Sequence, residues 1–309
     1  MNDIRGGRHT SPAEPSDAPA GEGSAVSSGV PSGAPAGEPS GVLTRRASAP
    51  DATVAYGDLP DQVADVRFPR NGAGAAAPLV VIVHGGFWRA RYDRAHTGPM
   101  ADDLAARGFA TASVEYRRVG QEGGGWPGTF DDVARAVDAV PALAAGVVPG
   151  GIGDVVLLGH SAGGHLALWA ASRARLPACA PWRLPAAPPL RGVLALAPVA
   201  ALELASRQGL SDGAADDLLG GPAGDLPERT ALADPLALLP SSIPSVLVHG
   251  TADEDVPVGQ SRRYADAARA AGDPCARIEL PGIGHLALID PLSGAWPTVL
   301  DALTGLLGR

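Results

Sequence analysis

The chain has 309 residues, of which 45% are hydrophobic and 18% are charged, enough apolar material for one large α/β domain or two small ones. Its net charge of −9 argues against a nucleic-acid partner, which requires a basic surface. No apolar run reaches the roughly 18 residues of a membrane span. Two cysteines, Cys179 and Cys275, are too few for a disulfide framework.

Residues 1–50 have a composition that predicts a disordered tail. They are rich in Gly, Pro, Ser and Ala and contain no aromatic residue, so they bury too little surface to offset the entropy of ordering. The first 20 residues also lack the apolar segment of a signal peptide. We therefore expect a cytoplasmic protein whose folded domain comprises residues 51–309.

Short apolar runs alternate with helical patterns from about residue 56 onward. Strands are predicted at residues 79–83, 109–115, 154–158, 192–197, 245–249 and 276–280. Helices are predicted at residues 96–107, 129–145, from 162 onward, 258–271 and 296–307. A capping box of Thr129 and Asp132 is predicted to open the second helix. This alternation predicts a mostly parallel sheet with helices on both faces.

Residues 199–240 interrupt this alternation with acidic, helix-prone pieces such as residues 212–219. Ligands of open parallel sheets bind at the carboxyl ends of the strands, where long insertions also lie. We therefore interpret residues 199–240 as a small lid or cap insertion.

A serine lies between a predicted strand and a predicted helix, in the sequence Gly159-His160-Ser161-Ala162-Gly163. In this context the G-x-S-x-G pattern predicts a sharp, strained turn that projects the serine hydroxyl at the carboxyl edge of the sheet. The helix that begins just after the serine favours negative charge at the same point. Ser161 is therefore the candidate nucleophile.

A serine nucleophile requires a base, and the base requires an acid that orients it. Asp253 follows the strand predicted at residues 245–249, and His285 follows the strand predicted at residues 276–280. Both can reach the same sheet edge as Ser161. Asp255 competes with Asp253 for the role of acid; we assign Asp253, because it comes sooner after the strand and fits the pattern D-x-x-V-P.

An oxyanion hole requires backbone N–H groups that point at the tetrahedral intermediate. One donor is predicted at Ala162, the residue after the serine. The others are predicted at Gly86 and Phe87, in the sequence HGGFW that follows the first core strand. His84 is expected to hold this loop in place.

Two further predictions concern supporting residues outside the predicted catalytic set. His249 lies at the end of a predicted strand and is expected to anchor the loop that carries Asp253, the acid loop, by hydrogen bonding. An internal ion pair is expected within Glu115-Tyr116-Arg117-Arg118, at the end of the strand predicted at residues 109–115.

The segments HGGFW, GHSAGGH, HGTADEDVP and GIGH together resemble α/β-hydrolases of the esterase and lipase type. HGGFW and GHSAGGH are particularly similar to the kynurenine formamidase and feruloyl-esterase-like branch. The resemblance covers about residues 55–309 and implies the α/β-hydrolase fold and a serine mechanism without a cofactor. Phe87 stands where HGGG enzymes have a glycine, which separates this chain from the hormone-sensitive-lipase group.

Three functions are compatible with these motifs. The first is a serine hydrolase that cleaves small carboxylic esters through Ser161, His285 and Asp253. The second is an arylformamidase that hydrolyses N-formylkynurenine. The third is a non-catalytic binding protein with a hydrolase fold, although such proteins usually lack a triad member and this chain keeps all three. We expect a small-molecule acyl substrate and no metal, since the seven histidines lack metal-ligand spacing.

Overall fold

The computed structural model describes residues 41–71 and 76–308. Most of the predicted tail therefore lies outside the described residues. Residues 41–50 are described and differ from the predicted disorder, because they contact the domain. Val42 is fully buried in an apolar cluster, and Gly41–Leu43 forms one turn of 3-10 helix. A buried apolar side chain thus helps to anchor a segment whose composition predicts disorder.

The core of the domain is an eight-stranded sheet with the order β1-β2-β4-β3-β5-β6-β7-β8. The strands are β1 Ala52–Ala55, β2 Val63–Arg67, β3 Ala77–Val83, β4 Ala110–Val114, β5 Ile152–His160, β6 Gly192–Leu196, β7 Ser245–Gly250 and β8 Cys275–Leu280. β1 and β2 pair antiparallel with each other, and β2 pairs antiparallel with β4. The remaining pairs, from β4 to β8, are parallel, which confirms the predicted mostly parallel sheet.

Helices cover both faces of the sheet. They are α1 Gly98–Ala106, α2 Gly128–Val147, α3 Ala162–Ala171, α4 Leu202–Arg207, α5 Leu210–Leu219, α6 Pro227–Ala233, α7 Gly259–Ala270 and α8 Trp296–Leu306. Buried side chains of α1 and α8 share one apolar cluster, and those of α2, α3 and α7 share the other. In the described part of the chain, no helix has both the length and the apolarity needed to cross a bilayer.

The central strands are buried on both faces, which explains their continuous apolar runs. In β3, Leu79, Val81 and Val83 face one cluster, while Val80 and Ile82 face the other. Side chains of a strand alternate between faces, so a strand between two helical layers needs apolar residues at every position.

The capping box predicted at Thr129 and Asp132 is wrong. α2 begins at Gly128, and the Thr129 hydroxyl donates to the Arg117 carbonyl at 2.6 Å. Asp132 is fully buried and accepts from the Arg117 guanidinium at 2.7 Å. Both side chains therefore fix the chain that follows β4 rather than the first turn of their own helix.

Residues 199–240 form α4, α5, α6 and two short 3-10 helices. Between α4 and the regular part of α5, the backbone adopts positive φ at Gly209, Ser211, Asp212 and Gly213. The Arg89 guanidinium donates to the Ser211 carbonyl of this left-handed segment at 2.6 Å.

Candidate active site

Ser161 lies on the predicted strained turn, between the end of β5 and the start of α3. Its φ is 57° and its ψ is −121°, a combination that costs a non-glycine residue about 1–3 kcal/mol. A Cβ on Gly159 would collide with the Gly163 carbonyl, and a Cβ on Gly163 would collide with the Val83 carbonyl. Only glycines at both flanks therefore allow this turn to pack against the sheet.

The Ser161 side chain is buried, and its Oγ has no hydrogen-bond partner among the described residues. Ser161 and His285 both line the same cavity, but no hydrogen bond joins them. Catalytic hydrogen bonds of unliganded enzymes are often long and tighten only when substrate binds.

Asp253 and His285 are in direct contact, since Asp253 Oδ2 lies 2.7 Å from His285 Nδ1. Asp253 Oδ1 accepts the backbone N–H groups of Asp255 at 3.0 Å and Val256 at 2.7 Å. Burial would raise the pKa of Asp253, but hydrogen bonds from His249 and His285 and the charge of His285 bring it well below its ordinary value. Asp253 is therefore an ionised acceptor that holds a proton on His285 Nδ1.

Asp255 makes no such contact with His285 and is exposed at the cavity wall. Asp253, Asp255 and His285 do offer three ligand atoms within 4.8 Å of one another. However, Asp253 and His285 already bond each other, and Asp253 Oδ1 already accepts two backbone N–H groups.

The loop that holds Asp253 is anchored by His249, as the sequence predicts. His249 Nε2 donates to the Val256 carbonyl at 2.9 Å, and its Nδ1 lies 2.7 Å from Ser261 Oγ. His249 is fully buried at the end of β7, so it joins the acid loop to the strand from which the loop emerges.

A cavity of about 220 Å³ opens above Ser161. Its wall includes His285 and the two predicted oxyanion residues, Gly86 and Phe87. The wall also contains residues with polar groups, namely Tyr92, His96, His160 and Asp255, and the two leucines Leu43 and Leu286. Among the described residues, none from 199–240 lines this cavity, so the role of that segment as a lid stays a prediction.

The loop that carries the predicted oxyanion residues, HGGFW at 84–88, has an unusual backbone; we call it the oxyanion loop. φ is 107° at Gly86, 51° at Phe87 and 56° at Trp88. A Cβ on Gly86 would collide with the Tyr92 side chain, so this position requires glycine. The N–H groups of Gly86 and Phe87 donate to no other described group, and the N–H of Ala162, at the first position of α3, has no partner within the helix.

His84 holds this loop through both of its ring nitrogens. Nδ1 lies 2.8 Å from the Gly85 carbonyl, and Nε2 lies 2.9 Å from Glu115 Oε1. The Tyr116 hydroxyl donates to the His84 carbonyl at 2.8 Å, and the two rings stack. The C=O and N–H groups of a trans peptide point in opposite directions. Because His84 holds the Gly85 carbonyl, the Gly86 N–H is therefore directed away from His84.

Glu115 and Arg118 form the predicted internal ion pair, with 3.1 Å between Glu115 Oε1 and Arg118 Nη1. Burial would raise the pKa of Glu115, but the hydrogen bond from His84 and the charges of His84 and Arg118 lower it to about 2. Arg94 adds a further positive charge at 3.6 Å. Asp65 pairs with Arg94 and Asp61 pairs with Arg118, so an ion-pair network lies beneath the loop.

Four residues of the cavity wall were not predicted: Leu43, Tyr92, His96 and Leu286. Leu286 directly follows His285, and this adjacency was a usable signal. Tyr92 and His96 lie beyond the HGGFW motif, and no motif marks either of them as a residue of the site. Leu43 lies in the segment whose composition predicts disorder.

Three features together define an α/β-hydrolase. They are the order of the strands in the sheet, the strained turn at Ser161, and the contact between Asp253, which follows β7, and His285, which follows β8. The sequence pattern of the BD-FAE family matches residues 64–267, which is well over half of the chain. The chain therefore belongs to the BD-FAE family. The resemblance to the kynurenine formamidase branch stays a prediction.

Two similar proteins of known name are esterases. Esterase LipQ from Mycobacterium tuberculosis is 29% identical over 251 residues, which cover 78% of this chain and 58% of LipQ. Isoprenylcysteine alpha-carbonyl methylesterase ICME from Arabidopsis thaliana is 25% identical over 269 residues, which cover 82% of this chain and 61% of ICME. The chain thus spans about three fifths of the length of these relatives.

Solved structures share the fold. A truncated carbohydrate esterase from gut microbiota superposes with a TM-score of 0.69 and 20% identity, over 86% of this chain and all of that one. Esterase B from Lactobacillus rhamnosis has a TM-score of 0.67 and 20% identity, over 86% of this chain and 89% of that one. Est2 from Thermogutta terrifontis has a TM-score of 0.64 and 22% identity, over 86% and 95%.

Proposed function

We propose that this protein is a serine hydrolase that cleaves small carboxylic esters through an acyl-enzyme. The observation that carries the proposal is the 2.7 Å contact between Asp253 and His285 beside a cavity that Ser161 also lines. The names of LipQ and ICME, both esterases, support ester hydrolysis.

In this proposal, His285 is the general base. Its Nδ1 proton is held by Asp253, so Nε2 carries the free lone pair. The Ser161 hydroxyl, which has no other described partner, rotates towards Nε2 and attacks the acyl carbonyl. Its proton passes to His285 and then to the leaving alcohol as the ester C–O bond breaks. Water, deprotonated by the same histidine, releases the acid and restores Ser161.

The N–H groups of Gly86, Phe87 and Ala162 stabilise the oxyanion in this scheme. They are fixed before substrate arrives, because the strained loop and the start of α3 are built into the fold. Prearranged donors of this kind contribute about 3–4 kcal/mol each to transition-state stabilisation.

The size of the cavity supports small substrates. Its volume of about 220 Å³ lies below the roughly 300–1,000 Å³ typical of sites for drug-sized ligands. Short acyl groups on small alcohols fit this space better than long lipid chains.

The alternative, hydrolysis of N-formylkynurenine, has less support from the cavity. That substrate carries both an ammonium and a carboxylate. Asp255 could bind the ammonium, but no arginine is found among the described residues that line the cavity. The carboxylate would thus lack a cationic partner, and we place ester hydrolysis first.

A paired assay tests this proposal. Purified protein is given p-nitrophenyl acetate or N-formylkynurenine, and a fluorophosphonate probe reports whether Ser161 is reactive. We expect ester turnover and covalent labelling, both abolished in Ser161→Ala. Ser172→Ala, which removes a hydroxyl after the other end of α3, is the matched control and should keep both.

Each outcome discriminates between the three functions. A much larger kcat/KM on the formamide would establish the arylformamidase instead. Absence of turnover and labelling in the wild-type protein would favour the non-catalytic binding protein. Ester turnover that survives in Ser161→Ala would contradict the mechanism.

A further inference from the structure

Residues 41–48, which we call the N-terminal strap, bring Leu43 to the cavity wall. Val42 and Leu43 are neighbours in the chain but face different surroundings. Val42 is fully buried in the cluster that also contains Met100 and Trp296. Leu43 is 41% exposed and lines the cavity above Ser161. Burial of one residue thus places the next at the site.

The strap is bonded to the wall that carries His285. Arg45 and Asp290 form a two-point ion pair, in which Nη2 and Oδ2 are 3.0 Å apart. Asp290 directly follows the 3-10 helix Leu286–Ile289, which begins after His285. The hydrogen bond from Arg45 lowers the pKa of Asp290, so the pair stays charged near neutral pH.

The strap is also bonded to α1. The Ser48 backbone N–H and hydroxyl each donate to the Asp102 carboxylate at 2.6 Å, and Arg67 donates to it at 2.7 Å. Asp102 lies in α1, directly after the 3-10 helix Arg94–Thr97 that carries His96 of the cavity wall. Ala47 packs so closely on α1 that a Cβ on Gly98 would lie 2.6 Å from its methyl group.

We propose that Leu43 is a specificity-determining residue, held at the cavity wall by the strap, that limits the size of the ester admitted to Ser161. This inference rests on the proposed ester hydrolysis. Among the described residues, Leu43 and Leu286 are the aliphatic side chains of the cavity wall, and Leu43 lies on a segment bonded both to Asp290 and to α1. Shortening Leu43 enlarges the cavity without altering Ser161, His285 or Asp253.

The experiment compares kcat/KM over two ester series. One series lengthens the acyl group of p-nitrophenyl esters from acetate to octanoate, and the other enlarges the alcohol of acetate esters. Leu43→Ala should raise kcat/KM for larger members of at least one series about tenfold relative to p-nitrophenyl acetate, because one methylene changes selectivity by roughly 10–200-fold. Leu43→Trp should shift the same ratio in the opposite direction.

Leu59→Ala is the matched control, since Leu59 is 42% exposed and lies outside the cavity wall. Arg45→Ala should shift selectivity in the same direction as Leu43→Ala by freeing the strap. Arg70→Ala, which removes a comparable pair with Asp51, should leave selectivity unchanged.

Unchanged ratios in both series for Leu43→Ala, with p-nitrophenyl acetate turnover intact, would overturn this inference and leave the proposed function standing. A ratio that falls in Leu43→Ala would also overturn it, since Leu43 would then bind large esters rather than exclude them. Failure of the wild-type protein to turn over any ester in a Ser161-dependent way would remove both proposals.

Discussion

The rings of His160 and His285 lie 4.4 Å apart between centroids, and His160 Nε2 lies 3.2 Å from the His285 carbonyl oxygen. Because a carbonyl oxygen only accepts, His160 Nε2 carries the proton. Burial, and then the charge of His285, hold the pKa of His160 well below its ordinary value. His160 is therefore a neutral donor that positions the backbone of His285.

Replacing His160 by leucine tests this positioning role. We expect His160→Leu to lower kcat about threefold to tenfold, since a net hydrogen bond contributes about 0.5–1.5 kcal/mol. His165→Leu is the control, because His165 is equally buried and donates to the Ala233 carbonyl at 2.9 Å but does not line the cavity. Equal kcat values for the two variants would contradict the prediction.

The two candidate acids should respond very differently to replacement. Asp253→Asn removes the acceptor that fixes the His285 tautomer, and kcat should fall by about 10⁴. The kcat of Asp255→Asn should stay within a few fold of the wild type, because Asp255 bonds Asp253 through its backbone N–H, which the substitution retains. Steady-state kinetics on p-nitrophenyl acetate measure both, and the reverse ranking would transfer the acid role to Asp255.

Gly86→Ala should disable the oxyanion loop. Its Cβ would meet the Tyr92 side chain at a φ of 107°, so the Gly86 and Phe87 N–H groups would move. We expect kcat to fall by about 10²–10³, the effect of losing one oxyanion donor. Gly146→Ala, in α2 with open space around it, should keep full activity; an active Gly86→Ala enzyme would place the oxyanion hole elsewhere.

Glu115 should contribute pH-dependent stability. Its pKa is depressed in the folded protein to about 2 from an ordinary 4.5, so its contribution is present above about pH 4.5 and lost as the pH falls towards 2. At pH 7, we expect Glu115→Gln to lower the free energy of unfolding by on the order of 3 kcal/mol. Urea unfolding at several pH values measures this.

The difference between Glu115→Gln and the wild type should shrink steadily between pH 4.5 and pH 2. Glu279→Gln, which breaks an exposed pair with Arg262, should show a much smaller difference at every pH, because surface pairs are screened. A Glu115→Gln difference that did not change with pH would indicate a packing effect instead.

The central strands and the serine turn were predictable because each has a local cause. β3 is apolar at every position since both faces are buried, and Ser161 needs glycines two residues away on each side. The two antiparallel strands β1 and β2 were missed. β1 alternates between half-buried and exposed positions, and its four alanine, threonine and valine residues resemble the surrounding loops in composition.

Other parts of the site depend on contacts between distant residues. Nothing in the sequence near Leu43 indicates that Arg45 would pair with Asp290, 245 residues away. The acid loop shows the same limit. Asp253 and Asp255 lie in one short loop. Which of the two carboxylates bonds His285 depends on where the distant segment that carries His285 lies in the fold.

The strap connects the stability of the fold with the proposed substrate selectivity. Val42 is held by the same apolar cluster that stabilises the fold, while its neighbour lines the cavity. Heating that releases this short segment before the sheet melts would therefore widen the range of accepted esters while the catalytic residues remain in place. Substrate range, measured against temperature, would then report local opening of the chain near residue 42.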